Sequence, residues 1–194
     1  MKKLLLYGLL AMMPLTFFSC KKTSDKPMCQ INGTIDAQWN GKKIFLVPVF
    51  GPSDASHVDS VVIEDGKFEF SKDSIGMYDI RMAWKFQSQL QDLLVITEPG
   101  KLQVNIAANS SAKGTRQNEI LQNWKQLTMQ YNQARMQKMM LYRDMQRKDS
   151  VKAKAFLATM EEDYKTYKKQ SLELAKPIKK GALKDFFNRM FPIK

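Results

Sequence analysis

The stretch that decides the fold is residues 59–70, which read Asp-Ser-Val-Val-Ile-Glu-Asp-Gly-Lys-Phe-Glu-Phe. Its first part is rich in β-branched side chains, and its last part alternates polar with aromatic residues, as half-buried strands do. Between the two parts stands Asp65-Gly66, a pair that favours the tight turn of a β-hairpin. The stretch therefore predicts two antiparallel strands joined at Asp65-Gly66.

Strand signals continue on both sides of this stretch. Asn40-Gly41 provides a turn upstream, and Pro99-Gly100 downstream fits a type II turn with proline first and glycine second. Between these turns, apolar and polar residues alternate in short runs. The predicted strands are residues 29–35, 43–47, 58–63, 67–70, 77–84, 93–96 and 102–106. Seven short strands at this spacing predict an antiparallel β-sandwich over residues 28–112, which we expect to fold on its own unless the helices cover one of its faces.

The rest of the chain, residues 113–194, shows helical periodicity. Apolar residues recur at steps of three and four in two segments, with Thr115 as a candidate cap for the first and Asp149 or Ser150 for the second. Pro177 and Gly181 end the second segment. The predicted seams are Ile120, Trp124, Leu127, Tyr131, Ala134, Lys138, Leu141 and Met145, then Leu157, Met160, Tyr164, Tyr167, Ser171 and Leu174. A short third segment, 183–190, is followed by Phe191.

The fold class predicted from these patterns is α+β: an N-terminal antiparallel β-sandwich followed by a C-terminal long-helix hairpin. Two amphipathic helices of this length pair most simply as an antiparallel hairpin. The alternative is one long helix with a kink near residue 149. The chain of 194 residues is long enough to bury a substantial core.

The first 27 residues read as a processing segment. Lys2 and Lys3 precede a 15-residue apolar stretch, which is too short to span a bilayer comfortably and is typical of a secretory signal peptide. Ser19-Cys20 at its end resembles the bacterial lipobox, in which the cysteine is acylated with chains such as palmitate. The sequence thus predicts a signal peptide at 1–19, lipid attachment at Cys20 and a tether at 20–27. A plain secreted protein is the alternative.

Charge is divided unevenly between the two halves. Residues 21–112 carry ten basic and eleven acidic side chains, whereas residues 113–194 carry nineteen basic and eight acidic ones, a net charge of +11. A basic region of this kind indicates a polyanionic neighbour. Because the chain carries an export signal, nucleic acid is disfavoured; anionic lipid, lipopolysaccharide or an acidic protein fits better. The alternative is a solvated helix face with no binding role.

Catalytic, cofactor and metal motifs are absent from the sequence. It contains no Cys-x-x-Cys, no His-Glu-x-x-His, no Gly-x-Ser-x-Gly and no glycine-rich phosphate loop. The single histidine, His57, reads as a surface residue, and Cys29 alternates in phase with Ile31 and Ile35 as a buried residue would. A methionine cluster in the first helix suits packing or a partner surface better than Cu(I), since no Cys or His accompanies it. We expect no catalytic, cofactor or metal site.

Three stretches resemble a family of domains of unknown function found in Bacteroidetes-type envelope lipoproteins: residues 31–35, 59–70 and 98–101. Gly114-Thr115 followed by Asn118-Glu119 and a long helix is similar to the continuation of that family. The resemblance covers about residues 28–167. In many relatives this domain precedes a thioredoxin-like domain, which has no counterpart in this chain. The resemblance carries no established catalytic residues.

Three functional hypotheses follow from these observations, and the third, an enzyme of unknown type, has no catalytic motif to support it. The first is a non-catalytic outer-membrane lipoprotein, a binding or scaffolding module facing the periplasm. Relatives sent to the cell surface usually carry acidic residues soon after the lipidated cysteine, whereas Lys21-Lys22 follows here. The second is an accessory that docks with a separate thioredoxin-like redox protein. The state of Cys29 separates the first two, because a buried thiol favours scaffolding and an exposed one keeps redox chemistry open.

Overall fold

Eight strands and three helices make up the computed structural model, which describes residues 28–83 and 90–192. The strands are β1 (Cys29–Ile35), β2 (Lys43–Pro48), β3 (Asp59–Val62), β4 (Lys67–Lys72), β5 (Met77–Arg81), β6 (Leu93–Ile96), β7 (Gly100–Ile106) and β8 (Ser111–Lys113). The helices are α1 (Arg116–Lys148), α2 (Ser150–Ala175) and α3 (Ala182–Met190). A short 3-10 turn at Ala37–Trp39 joins β1 to β2.

The strands form two four-stranded sheets, in the orders β4-β1-β7-β8 and β3-β2-β5-β6. Their inward side chains meet in one core, and the helices follow, which confirms the predicted class of sheets followed by a helical pair. One pairing differs from the antiparallel expectation: β1 and β7 run parallel, with Cys29 opposite Gly100 and Ile35 opposite Ile106. The short strand β8, which pairs with β7, was not among the predicted strands.

The stretch 59–70 contains the turn that the sequence predicts, but the strands before and after the turn belong to different sheets. Asp65 and Gly66 both have positive φ, as the tight turn requires. Beyond one bridge between Glu64 and Lys67, however, β3 pairs with β2 and β4 pairs with β1. The prediction of a two-stranded hairpin is therefore wrong. The backbone beside the turn is bound instead by residues from upstream, since Gly41 donates to the carbonyl of Ile63 and Asn40 accepts from Gly66.

The sandwich core follows the period-2 pattern of the sequence. In β1, every second residue from Cys29 to Ile35 is buried and the residues between are exposed. Gly33 occupies one of these inward positions because the ring of Phe68 fills the space beside it. A Cβ atom on Gly33 would lie 2.0 Å from that ring. Any larger side chain would therefore displace Phe68 from the core.

The two long helices form an antiparallel pair, and the break between them is a helix cap. The carboxylate of Asp149 accepts hydrogen bonds from the backbone N–H groups of Val151 and Lys152, at 3.1 and 3.0 Å. This confirms the predicted cap and rules out the single kinked helix. Thr115 stands at the N-cap position of α1, but its side chain makes no capping bond there.

The buried face of α2 differs from the predicted seam. Met160, Tyr167 and Ser171 are buried as expected, whereas Leu157 and Tyr164 are exposed. The other buried residues of α2 are two small ones, Ala153 and Ala175. The aromatic stack of Tyr131 on Tyr167, with ring centroids 4.4 Å apart, sets the rotation of α2 against α1.

A second core joins the helices to the outer face of the sheet that contains β5 and β6. Met77 and Ile96 point out of the sandwich and pack with Trp124 of α1 and with the aromatic residues of α3, Phe186 and Phe187. The indole of Trp124 meets both phenyl rings edge-on, with centroids 5.1 and 5.7 Å away. The helices thus cover one face of the sandwich, and residues 28–112 alone would expose Met77 and Ile96 to water.

A buried asparagine fixes α1 to the free edge of β6. Asn118 is fully buried, and its Oδ1 accepts from the backbone N–H of Ile96 at 2.9 Å. Its Nδ2 donates to the carbonyl of Ile96 at 2.8 Å and to Oγ1 of Thr115 at 2.7 Å. Since β6 is the last strand of its sheet, this side chain takes the position of a neighbouring strand.

We expect Asn118→Ala to lower the free energy of unfolding by about 2–4 kcal/mol. The substitution leaves the N–H and carbonyl of Ile96 buried without partners, and each unpaired group costs about 1–3 kcal/mol. Urea denaturation followed by circular dichroism measures the change. The matched control is Asn123→Ala on the exposed side of the same helix, for which we expect a change below about 0.5 kcal/mol. Equal effects of the two substitutions would contradict this role for Asn118.

Candidate functional site

The predicted lipid-attachment residue, Cys20, lies outside the described residues. The other cysteine, Cys29, is a buried free thiol in the sandwich core. Burial, and to a smaller extent the nearby charge of Glu98, raises the pKa of this thiol to about 11. A thiol with this pKa is protonated at neutral pH and is a poor nucleophile. The prediction of a buried Cys29 is confirmed, and this position favours scaffolding over thiol chemistry.

His57 lies at the surface in a small polar cluster with Asp54 and Ser56. Its Nδ1 is 2.9 Å from Oδ1 of Asp54 and 3.0 Å from Oγ of Ser56. The hydrogen bonds from Ser56, and then that from His57, lower the pKa of Asp54 below its ordinary value. A catalytic triad needs its acid and its nucleophile on opposite ring nitrogens. Here both contact the same nitrogen, so the cluster is a loop-stabilising contact.

A groove lies on the outer face of the first sheet, beside α1. It has a volume of about 720 Å³. Most polar side chains that line it are neutral amides and hydroxyls: Asn32, Thr34, Gln103, Asn105, Ser111, Gln122 and Gln126. Lys67, Glu69 and Lys113 supply the charges. Amide groups both donate and accept hydrogen bonds, so this surface suits a neutral polar molecule. Glu69 is the one carboxylate in the lining, so the groove holds no pair of carboxylates.

The sandwich has two ends. Helix α1 begins at one end and continues beyond the opposite end. At the first, which we name the tether end, the N–H of Gly100 donates to the carbonyl of Met28 at 3.1 Å, and Thr115 packs beside Gly100. At the opposite end, which we name the far end, Nζ of Lys125 donates to Oδ1 of Asn109, at 3.1 Å, and to the carbonyl of Ser110. The helix therefore passes the sandwich within its first ten residues.

Beyond the far end, the two helices pack against each other and form an arm, residues 132–163, which we name the distal arm. Its α1 portion extends about 25 Å at 1.5 Å per residue. Ala153 and Met160 are the buried residues in the arm, and Lys138 forms an ion pair with Asp163 across the helices. Among the described residues, neither the sandwich core nor the cluster around Trp124 includes any residue of this segment. The arm is therefore a projecting element.

Large apolar side chains lie exposed on the distal arm. Val151 is 79% exposed, Met140 64% and Leu141 55%. Five exposed cations lie near them in sequence: Arg143, Arg147, Lys148, Lys152 and Lys154. Lys148 and Lys152 form ion pairs with Asp144 and Asp149. Of the predicted methionine cluster, Met129, Met136 and Met140 are exposed, whereas Met139 and Met145 are half-buried. Exposed apolar groups bordered by charge are typical of interaction surfaces. The predicted place of Leu141 in the helix seam is wrong, because the partly buried positions at this level of α1 are Lys138, Met139, Tyr142 and Met145.

Sequence patterns missed a half-buried carboxylate on the outer face of β5. Burial raises the pKa of Asp79 to about 6. The positive charge of Arg81 lowers this pKa in part, and the negative charge of Asp92 raises it further. Nη2 of Arg81 lies 3.5 Å from Oδ2 of Asp79. The alternation of Met77, Asp79 and Arg81 on one strand face is the only sequence signal for this cluster. Perturbed carboxyls of this kind occur at functional sites and in structural ion pairs alike.

The pKa of Asp79 gives a pH-dependent contribution to stability. Because the folded-state value of about 6 lies above the ordinary value of 3.8, the folded state binds the proton more tightly, and stability falls as pH rises from 4 to 6. Asp79→Asn removes this loss. We expect the free energy of unfolding of the variant, relative to that of the wild-type protein, to rise by about 2–3 kcal/mol between pH 4 and pH 7. Urea denaturation at several pH values measures this difference. Parallel stability curves would contradict the raised pKa.

The described residues lack two features, a cluster of metal-ligating side chains and a membrane-spanning helix. No group of three or more His, Cys, Asp or Glu side chains within residues 28–83 and 90–192 is placed to hold a metal ion. In the same part of the chain, no helix has the length and apolar character needed to cross a bilayer.

Comparison with known proteins assigns most of the β-half to a family. Residues 29–121 match the model of the family described as "Domain of unknown function (DUF4369)". The matched region includes all eight strands and the first residues of α1, up to Leu121. It therefore contains Asn118 and its contact with β6. No curated protein and no solved structure matches the chain.

Proposed function

We propose, from the match of residues 29–121 to the model of a domain of unknown function (DUF4369), that the chain is a lipid-anchored scaffold of the cell envelope, without catalytic activity, that displays the distal arm to a partner. The observation that carries this proposal is the arm itself. It extends beyond the sandwich, contributes little to either core, and presents Val151, Met140 and Leu141 to solvent among cations. Exposed apolar side chains grouped in this way are typical of a surface that binds a partner.

The positions of the two ends support the anchored arrangement. The proposed anchor, Cys20, precedes Met28 by eight residues, and Met28 lies at the tether end. The distal arm projects from the opposite end. A lipid at Cys20 would therefore hold the sandwich at a membrane and direct the arm away from it. We propose the outer membrane and its periplasmic face, because Lys21-Lys22 follows the anchor.

The alternative is an accessory that docks with a separate thioredoxin-like protein. The buried, protonated Cys29 cannot take part in thiol exchange from its position in the core. Such a partner would have to supply both redox thiols itself, and this chain would contribute only a docking surface. The exposed apolar side chains of the distal arm would serve that role equally well. Identifying the partner on the arm distinguishes the two readings.

We expect Cys20→Ala to abolish membrane attachment. The wild-type protein should incorporate labelled palmitate in its native host and partition into the detergent phase of a Triton X-114 extract. The variant lacks the thiol that would be acylated, so it should take up no label and remain unprocessed or soluble. A variant with a trimmed N-terminus that still enters the detergent phase would contradict lipid attachment at Cys20.

We expect the distal arm to contact its partner in cells. A photo-crosslinking residue at position 151 should give a defined adduct, whereas the same residue at Lys42, exposed on the sandwich, should give none. The double substitution Met140→Gln/Leu141→Gln should reduce the adduct at least about fivefold without changing thermal stability, because both side chains are exposed. Equal adducts at the two positions, or no effect of the double substitution, would contradict a binding role for the arm.

A further inference from the structure

We propose that the tether end is a membrane-docking surface, in which Ile75 contacts the acyl boundary and Lys101, Arg116, Lys179 and Lys180 bind the anionic headgroups of phospholipids. This inference rests on the proposed lipid anchor and adds the face of the molecule that meets the bilayer.

Four segments that are distant in sequence meet at this end. Loop 73–76 is bound to the turn at residues 97–100, since the N–H of Thr97 donates to the carbonyl of Gly76 at 2.9 Å and its Oγ1 donates to that of Ser74 at 2.7 Å. The same turn contacts the start of α1, because Glu98 accepts from the backbone N–H of Gln117 at 2.6 Å and from its Nε2 at 3.1 Å.

The fourth segment, the loop between α2 and α3, closes this arrangement. Oε1 of Gln117 lies 4.0 Å from the position a Cβ atom on Gly181 would occupy. Gly181 has a φ of 104°, which disfavours any other residue there. Ile178 and Leu183 are buried on either side of it, so the backbone of Lys179 and Lys180 is held in place while their side chains remain exposed.

The side chains at this end combine apolar exposure with positive charge. Ile75 is 61% exposed at the tip of its loop, and Met28 is 37% exposed where the tether begins. Lys101, next to Gly100, and Arg116, at the start of α1, are exposed, and no ion pair involves either among residues 28–83 and 90–192. An exposed aliphatic side chain among unpaired cations suits the interface of an anionic bilayer.

Carboxylates also lie at this end and limit its charge. Asp73 is exposed on the loop that carries Ile75, and Glu98 is engaged by Gln117. Glu119 and Asp185 lie in the first turns of α1 and α3. These carboxylates therefore cancel part of the positive charge of the four cations on the docking surface. We expect weak binding by this surface alone, strengthened when an anchor holds it near the bilayer.

The proposed anchor makes this surface the one that is held against the membrane. Seven residues lie between Cys20 and Met28, and the eight steps from one to the other span at most about 28 Å when fully extended. The acyl chains on Cys20 would hold the tether end at the bilayer, and the basic residues there would add electrostatic attraction to anionic lipid. The cations of the distal arm would lie farther from the bilayer, because the arm projects from the far end.

The test uses the mature chain, residues 20–194, with Cys20→Ala, so that binding does not depend on acylation. Co-sedimentation with mixed phosphatidylglycerol–phosphatidylcholine vesicles should show binding that weakens as salt rises, and pure phosphatidylcholine should show little. Lys179→Glu/Lys180→Glu should weaken binding at least about 20-fold, at about 1 kcal/mol for each basic residue lost. Ile75→Ser should weaken it separately, including at high salt.

The matched control is Arg147→Glu/Lys148→Glu on the distal arm, which changes the net charge by the same amount. We expect it to weaken binding less than about threefold. Circular dichroism melts should be unchanged for all three variants, since the substituted side chains are exposed. Equal losses from the two charge reversals, or no binding to anionic vesicles, would overturn the docking surface. Neither outcome bears on acylation of Cys20, which palmitate labelling tests independently.

Discussion

The contact on which the rest of the structure depends is that between the side chain of Asn118 and the backbone of Ile96. A free strand edge presents N–H and carbonyl groups that need partners, and one amide side chain satisfies both at once. Because Asn118 belongs to the first turn of α1, this contact also sets where the long helix begins and in which direction it leaves. The position of every element after it follows from that direction.

The second core is formed as a consequence. Once α1 is held along β6, Leu121 and Trp124 lie over the outer face of the sheet, and the aromatic residues of α3 pack onto them. The family match ends at Leu121. The matched region contains the sandwich and the part of α1 that seals its edge. The distal arm and α3 lie outside the match.

The same geometry gives the molecule two functional ends. The tether end combines the start of the described chain, an exposed isoleucine and several lysines. The far end supports a projecting arm with exposed methionine, leucine and valine side chains. In the proposed arrangement the first surface faces a bilayer and the second faces a partner. The buried Cys29 lies in the sandwich core close to the tether end, opposite Gly100.

Local patterns in the sequence determined the strands, the helices and the turn at Asp65-Gly66, because alternation, periodicity and positive φ depend on near neighbours. They also determined that Cys29 is buried and that Asp149 separates two helices. Only the tertiary structure decided that β3 and β4 join different sheets, since the partners of that turn, Asn40 and Gly41, are more than twenty residues away. It alone placed Asp79 in a half-buried position and gathered Ile75, Lys101 and Lys179 at one end. Such groupings depend on how distant segments pack, which no local period encodes.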